Sequence, residues 1–182
     1  MATGRARRRG GQAVKVVVTG PFAAGKTTLI RTISEITVLS TERGVTDSTR
    51  KRKAETTVAM DFGRITIDQD LILYLFGTPG QDRFGFMWDD LAVGALGAVV
   101  LVDTRRLDDC FPAIDYFEHL GLPFVVAVNR FDGELHHPIE EVRDALDIDA
   151  SIPVIQTDAR SRESVKDALI SLLEVVLARA SG

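Results

Sequence analysis

The sequence predicts an α/β domain of three layers: a six-stranded, mostly parallel sheet with one antiparallel strand, covered by about five helices. Two observations predict it. Short apolar runs alternate with stretches of helical period, and most runs are continuously apolar, as a sheet covered on both faces requires. A glycine-containing stretch, Gly20-Pro21-Phe22-Ala23-Ala24-Gly25-Lys26-Thr27, directly follows the first apolar run and opens a helical segment, which is the strand–turn–helix context of a phosphate-cradling loop. With 182 residues and 45% hydrophobic content, the chain can bury about 70% of its unfolded surface as one domain. We expect residues 1–12 to form a disordered basic tail and residues 13–182 to form that domain.

The first strand is Val14–Thr19, and the helix after it starts at the glycine-containing loop. Ser40 to Glu55 is polar, net basic and without period, and a loop of this length inside a compact domain is usually functional or mobile. Thr57–Ile67 and Leu71–Phe76 are the next two strands, and the short connection Asp68-Gln69-Asp70 between them makes the pair antiparallel. Ala98–Val102, Phe124–Val128 and Pro153–Ile155 complete the sheet. Leu107, Phe111, Ile114 and Phe117 recur at helical spacing, with Pro112 in the first turn, where its missing N–H is tolerated, and Gly121 and Pro123 at the end. Val165, Leu169, Leu172 and Val176 mark a C-terminal helix packed on the sheet. No internal repeat is visible.

The net charge is −4, yet Met1–Gln12 and Arg50–Lys53 each hold four basic residues and no acid, so the positive charge sits in two patches on an otherwise acidic chain. That balance argues against a nucleic-acid-binding protein. The tail arginines Arg5, Arg7, Arg8 and Arg9 are too few to do more than touch an anionic membrane, at ~1 kcal/mol each. Arg50-Lys51-Arg52-Lys53 either steers an anion or acidic partner, or is a solvated loop. One cysteine, Cys110, excludes an internal disulfide and reads as a core residue in a reducing cytosol. Leu91–Val102 falls short of the ~20 residues of a membrane span, and neither a signal-peptide core nor a lipidation box is readable. We therefore expect a cytoplasmic location, with at most peripheral contact at the inner face of the membrane.

The loop fits G-x-x-x-x-G-K-[ST]. Its glycines let backbone N–H groups curl around phosphate, Lys26 reaches the outer phosphate oxygens, and the Thr27 hydroxyl suits Mg²⁺. Gly20, Ala23, Ala24, Gly25, Lys26, Thr27 and Thr28 are the candidate residues around the nucleotide. His136 and His137 lack ligand spacing and read as surface loop.

The order of motifs resembles that of the Ras-like small GTPases, P-loop NTPases with this three-layer sandwich, over almost the whole chain from Val14 to Ala178. The resemblance implies bound GTP or GDP with Mg²⁺, and it places Thr57, with Thr56 as the alternative, where a threonine closes over the metal and the γ-phosphate. Thr27 and Thr57 are then the metal ligands. Gly77-Thr78-Pro79-Gly80-Gln81 stands for the family's Asp-x-x-Gly-Gln: Gly80 allows close backbone approach to the γ-phosphate, and Gln81, with Lys26, is the catalytic candidate, orienting the attacking water. The family's metal-site aspartate is replaced by Gly77. Asp103 either substitutes for it or caps a helix.

Asn129-Arg130-Phe131-Asp132 is similar to Asn-Lys-x-Asp. Asp132 can accept from both the N1–H and the exocyclic amino group of guanine, donors that adenine does not offer in that arrangement. Asn129 braces the loops and reaches N7, and the Arg130 stem lies over the ring. Thr157-Asp158-Ala159-Arg160 resembles the family's last motif, which implies that the Ala159 N–H meets guanine O6, with Asp158 and Arg160 beside it. Phe22 and Ala23 stand where the family usually has glycines; Phe22 crowds Gln81, so hydrolysis is expected to be slow and set by a partner. Phe84, Phe86, Met87 and Trp88 form either a partner surface governed by the γ-phosphate or a short helix packed on the sheet.

Within the superfamily, Leu75 to Phe84 resembles the bacterial Thr-x-Pro-Gly-Gln branch, which includes the polarity GTPases of the MglA type, and most of all the actinobacterial conservon GTPases. That implies a switch in bacterial signalling, with a roadblock-family protein and a sensor-kinase-like membrane protein as partners. A nucleotide-bound scaffold without useful hydrolysis and a P-loop ATPase or small-molecule kinase are the alternatives.

Overall fold

A computed structural model describes residues 11–40, 60–68, 70–80, 86–133 and 137–182. The elements run β1 (Gln12–Thr19), α1 (Lys26–Ile33), β2 (Leu39–Ser40), β3 (Asp61–Asp68), β4 (Leu71–Gly77), α2 (Phe86–Ala92), β5 (Ala95–Val102), a 3-10 turn (Thr104–Cys110), α3 (Phe111–Leu120), β6 (Phe124–Asn129), α4 (Ile139–Ala145), β7 (Val154–Thr157) and α5 (Arg162–Ala180). All six expected strands are present, and the two-residue β2 adds a seventh at one edge, giving the order β2-β3-β4-β1-β5-β6-β7. Only β3 runs against its neighbours, pairing antiparallel with both β2 and β4, while β4-β1, β1-β5, β5-β6 and β6-β7 are parallel. Of the expected second strand, residues 57–59 lie outside the described residues.

Strand alternation builds two cores. Val16, Val18, Leu73, Leu75, Val99, Leu101, Val125 and Ala127 face α1 and α5, where Leu29, Ile30, Val165, Leu169 and Leu172 meet them. Val17, Ala98, Val100, Val102, Val126 and Val128 face the other way, onto Ile114 and Phe117 of α3 and Val142 of α4. Because both faces are covered, the central strands β5 and β6 read as unbroken apolar runs. Pro112 sits in the first turn of α3, and Gly121 ends it at φ 69°, donating its N–H to the carbonyls of Phe117 and Glu118. Ser161 caps α5 by accepting from the Ser164 N–H.

Cys110 is fully buried, and burial pushes its thiol up to about 11, which makes it the inert core residue expected. In α2, Trp88 turns toward the second core and meets Tyr116 edge-on, with ring centroids 5.2 Å apart. The helix alternative for this segment is therefore realised from Phe86 onward, and Trp88 belongs to the packing; Phe84 lies outside the described residues. His137 is exposed, 3.6 Å from Glu141.

β1 has β4 on one side and β5 on the other, so the chain leaves its carboxyl end at the point where strand order reverses. In open α/β sheets that crevice is where ligands bind.

Candidate functional site

The phosphate loop lies in this crevice, and its backbone is one that glycine makes possible. Gly20 has φ 141° and Gly25 φ 106°; a Cβ on the first would sit 2.5 Å from the Leu101 carbonyl oxygen and on the second 2.6 Å from Asn129 Nδ2. Ala23 adopts φ 62° between them. The loop therefore nests against the ends of both β5 and β6, and α1 begins at Lys26 with its free N–H groups turned to the crevice.

Lys26 is buried, and its ammonium donates to the carbonyls of Gly20 at 2.7 Å and Pro21 at 2.6 Å. Burial lowers its pKa to about 8, against the pull of the nearby Asp61 charge. Phosphate oxygens favour the ammonium form, so a nucleotide bound above pH 8 takes up a proton on Lys26. Affinity for a diphosphate nucleotide is accordingly expected to fall about tenfold between pH 7 and pH 9. Titrating nucleotide binding across that range checks it; a flat profile contradicts a Lys26 that meets phosphate.

The acidic partner of Thr27 is Asp61, a residue that sequence reasoning passed over. Thr27 Oγ1 donates to Asp61 Oδ2. Asp61 opens β3, and the antiparallel register sets it directly opposite Gly77. A Cβ on Gly77 would lie 3.2 Å from the Asp61 Cβ and 3.6 Å from its Oδ2. A carboxylate thus reaches Thr27 from the strand opposite Gly77, and Gly77 leaves room for it. Counting outward from the hairpin at Asp68-Gln69-Asp70 was the signal that could have found it.

Asp103, the other candidate, is spoken for. Its carboxylate, 3% exposed, caps the 3-10 turn by accepting the Arg105 N–H at 3.0 Å and takes Arg105 Nε at 2.9 Å and Nη2 at 2.8 Å. Burial raises its pKa, but the bonds and charge of Arg105 outweigh this and hold the group below the usual carboxylate range. The capping alternative is the one this geometry realises, and both carboxylate oxygens are engaged by the Arg105 guanidinium.

Thr78 Oγ1 donates to Thr19 Oγ1 at 2.8 Å, and its N–H donates to Val18 O at 2.9 Å. These bonds tie the Thr-x-Pro-Gly turn to the end of β1. Gly80 then lies against the cradle: a Cβ there would meet Lys26 Nζ and Phe22 Cα, each at 2.7 Å, so glycine is what allows the turn to pack this closely on the loop. Phe22 is 57% exposed, and its carbonyl accepts from Arg106 Nη2 at 3.2 Å. Gln81, Thr56, Thr57, the run Arg50–Lys53 and the tail arginines lie outside the described residues.

At the base end, a cavity of about 180 Å³ gathers Ala23, Gly25 and Thr28 with Asn129–Asp132 and Asp158–Arg160. Two wider surface grooves of about 500 Å³ lie elsewhere, away from the loop; the small cavity is the one joined to the phosphate cradle and is scaled to a base rather than to a whole drug-sized ligand. Asn129 is a brace, as expected: Nδ2 donates to Ala24 O at 3.0 Å, and Oδ1 accepts the Ala159 N–H at 3.0 Å. That second bond corrects one expectation, because the Ala159 N–H expected at the base is given to Asn129. Arg160 donates to Asp158 Oδ1 through both its N–H, at 2.9 Å, and Nε, at 3.1 Å, holding Asp158 below the carboxylate range. Asp132 sits at φ 57° with its side chain 97% exposed, 4.0 Å from Arg160. Arg130 Nε and Thr157 Oγ1 are buried without a hydrogen-bond partner. Of the two, Arg130 lines the cavity, and an orphaned polar atom there is what a polar ligand completes.

Among the described residues no group of three or more His, Cys, Asp or Glu could hold a metal, and no helix is long and apolar enough to cross a membrane.

A glycine-shaped phosphate loop at the switch point of this sheet, joined to a braced base cavity, defines a P-loop nucleotide-binding protein with a Ras-like G-domain fold. The chain belongs to the family described as "conserved hypothetical ATP binding protein", whose model matches residues 38–179 and so begins beyond the phosphate loop. An uncharacterized protein of Methanocaldococcus jannaschii is 31% identical over 121 residues, covering 65% of this chain and 71% of its own length. The Ras-related protein Rab-32C of Dictyostelium discoideum is 25% identical over 177 residues, covering 90% and 73%. Among solved structures, the G domain of the T. maritima FeoB iron transporter superposes with a TM-score of 0.63 at 18% identity, over 90% of this chain and 99% of that one. The cytosolic domain of L. pneumophila FeoB gives 0.64 at 18% identity, over 89% and 68%.

Proposed function

We propose that this protein is a guanine-nucleotide switch: it binds GTP and GDP with Mg²⁺, hydrolyses GTP slowly and signals through the segments around Thr57 and Gln81. One observation carries the reading: Asp132, a side chain with two acceptor oxygens, stands at the rim of a base cavity that Asn129 ties to the phosphate loop. Two adjacent donors on the base satisfy a carboxylate, and guanine has them where adenine does not. The Ras-related relative and the G-domain fold support the same choice.

The donors fit Mg²⁺, a hard cation that takes few carboxylates and keeps several waters. Thr27 and Asp61 would hold it, with Thr57, and it would neutralise charge on the phosphates. Lys26 adds a second positive charge from within the loop. Gln81 orients the attacking water, and Thr78 fixes the turn from which Gln81 follows. The exposed Phe22 narrows the approach to that water, so turnover waits on a partner that repositions Gln81. In the Thr-x-Pro-Gly-Gln branch of MglA and conservon type, that partner is a roadblock-family protein, with a sensor-kinase-like membrane protein upstream and only peripheral membrane contact by this chain.

The family description favours a second reading, an ATP-binding protein. Competition against a fluorescent GDP separates the two. GTP is expected to displace it at stoichiometric levels and a hundredfold excess of ATP is not; equal displacement overturns the guanine reading. Unassisted turnover is expected below about 0.1 s⁻¹, and single-turnover phosphate release separates slow hydrolysis from a scaffold with none.

A further inference from the structure

We propose that Arg105 is a positioning residue for base selection, acting through Phe131 on the loop that carries Asp132; this rests on the guanine reading above. Among the described residues, the ion pair of the Asp132 carboxylate is a loose one. Its side chain is 97% exposed, and Arg160 is 4.0 Å away and itself 55% exposed, an arrangement that solvent screens heavily. Its backbone lies at φ 57° and that of Gly133 at φ 81°, conformations an unanchored loop leaves readily. Where the carboxylate points is therefore decided by what holds residues 130–133.

Two contacts among the described residues help to hold them. On one side the Arg130 N–H donates to Thr157 O at 2.7 Å. On the other, the Arg105 guanidinium lies over the Phe131 ring, 3.6 Å from its centroid. That guanidinium is fixed in position and in plane, because Asp103 grips two of its nitrogens at 2.9 and 2.8 Å and its backbone N–H at 3.0 Å. Asp103 is in turn fixed by burial at the end of β5. The result is a rigid path from the sheet through Asp103, Arg105 and Phe131 to the residue that reads the base. A planar, bidentate cation is needed for it: lysine can neither fork onto Asp103 nor stack flat on the ring. Arg105 is not among the residues that line the base cavity; it sets the angle at which Asp132 meets two donors at once, a geometry that tolerates little slack.

The test uses GDP and IDP, which differ only in the exocyclic amino group. Wild type is expected to prefer GDP by roughly 10- to 100-fold, the worth of one charge-assisted hydrogen bond. Arg105→Ala is expected to lower that preference about tenfold and Arg105→Lys to restore little of it; the melting temperature of Arg105→Ala also falls, because the buried Asp103 loses its guanidinium partner, so the GDP/IDP ratio and not stability reads the role. An unchanged GDP/IDP ratio in Arg105→Ala, with both affinities falling together or not at all, overturns the role. Wild type that shows no preference between GDP and IDP and binds ADP equally well overturns the guanine reading itself, and the role with it.

Discussion

Asp132→Ala is expected to weaken GTP and GDP binding by about two to four orders of magnitude while leaving the much weaker ATP binding unchanged. On the proposed guanine reading the carboxylate would accept two hydrogen bonds from the base, and bonds to a charged group are each worth about 1.5–3 kcal/mol, so losing both would remove about 3–6 kcal/mol. Sites that reject analogues by hydrogen bonding discriminate by a similar scale, because the unpaired partner adds its own cost. The loss falls on the base alone, since Asp132 is far from the Lys26 and Thr27 end of the crevice in role and in chain. Asp132→Asn sharpens the point: its amide can donate as well as accept, and it should shift preference toward xanthine nucleotides, whose C2 carbonyl replaces the amino donor. Calorimetric titration with GDP, XDP and ADP checks both variants; unchanged GDP affinity in Asp132→Ala contradicts base reading by this residue.

Asp61→Ala is expected to weaken Mg²⁺-dependent retention of GDP by about 10- to 100-fold, the worth of one charged contact at the Thr27 hydroxyl. In wild type, chelating Mg²⁺ should speed GDP release, and in Asp61→Ala it should add little. The cross-strand register offers a stricter experiment. Gly77→Asp alone sets two carboxylates side by side, because its Cβ would already lie 3.2 Å from that of Asp61; like charges at that separation disfavour each other's ionised form, and both retention and stability should fall. The double variant Asp61→Gly, Gly77→Asp moves the carboxylate back across the ladder and should recover part of the retention. A double variant no better than Asp61→Ala would show that position 61 does something position 77 cannot.

The parts of the site that were legible in the sequence are runs of consecutive residues. Gly20 to Thr27 encodes its own turn through the glycines at Gly20 and Gly25, and Asn129 to Asp132 follows directly from a buried apolar strand. Each motif binds through backbone and side chains a few positions apart, so the pattern carries the function without the fold. The six strands were legible for the same reason. The two-residue β2 was not, because a pair of residues has no period, and it exists only through its pairing with Asp61 and Phe62.

The sequence by itself determined the α/β class, the phosphate loop and the residues offered to the base, all of them local patterns. The tertiary structure decided which acid stands beside Thr27, since Asp61 reaches Gly77 through the register of two strands and Asp103 is withdrawn by Arg105. It also decided where the Ala159 N–H goes and what steadies Asp132. Those outcomes depend on residues brought together from α1, β3, β4, the turn after β5, and β6, and hydrogen bonds a few ångströms long are set by register and packing that no single stretch of chain contains.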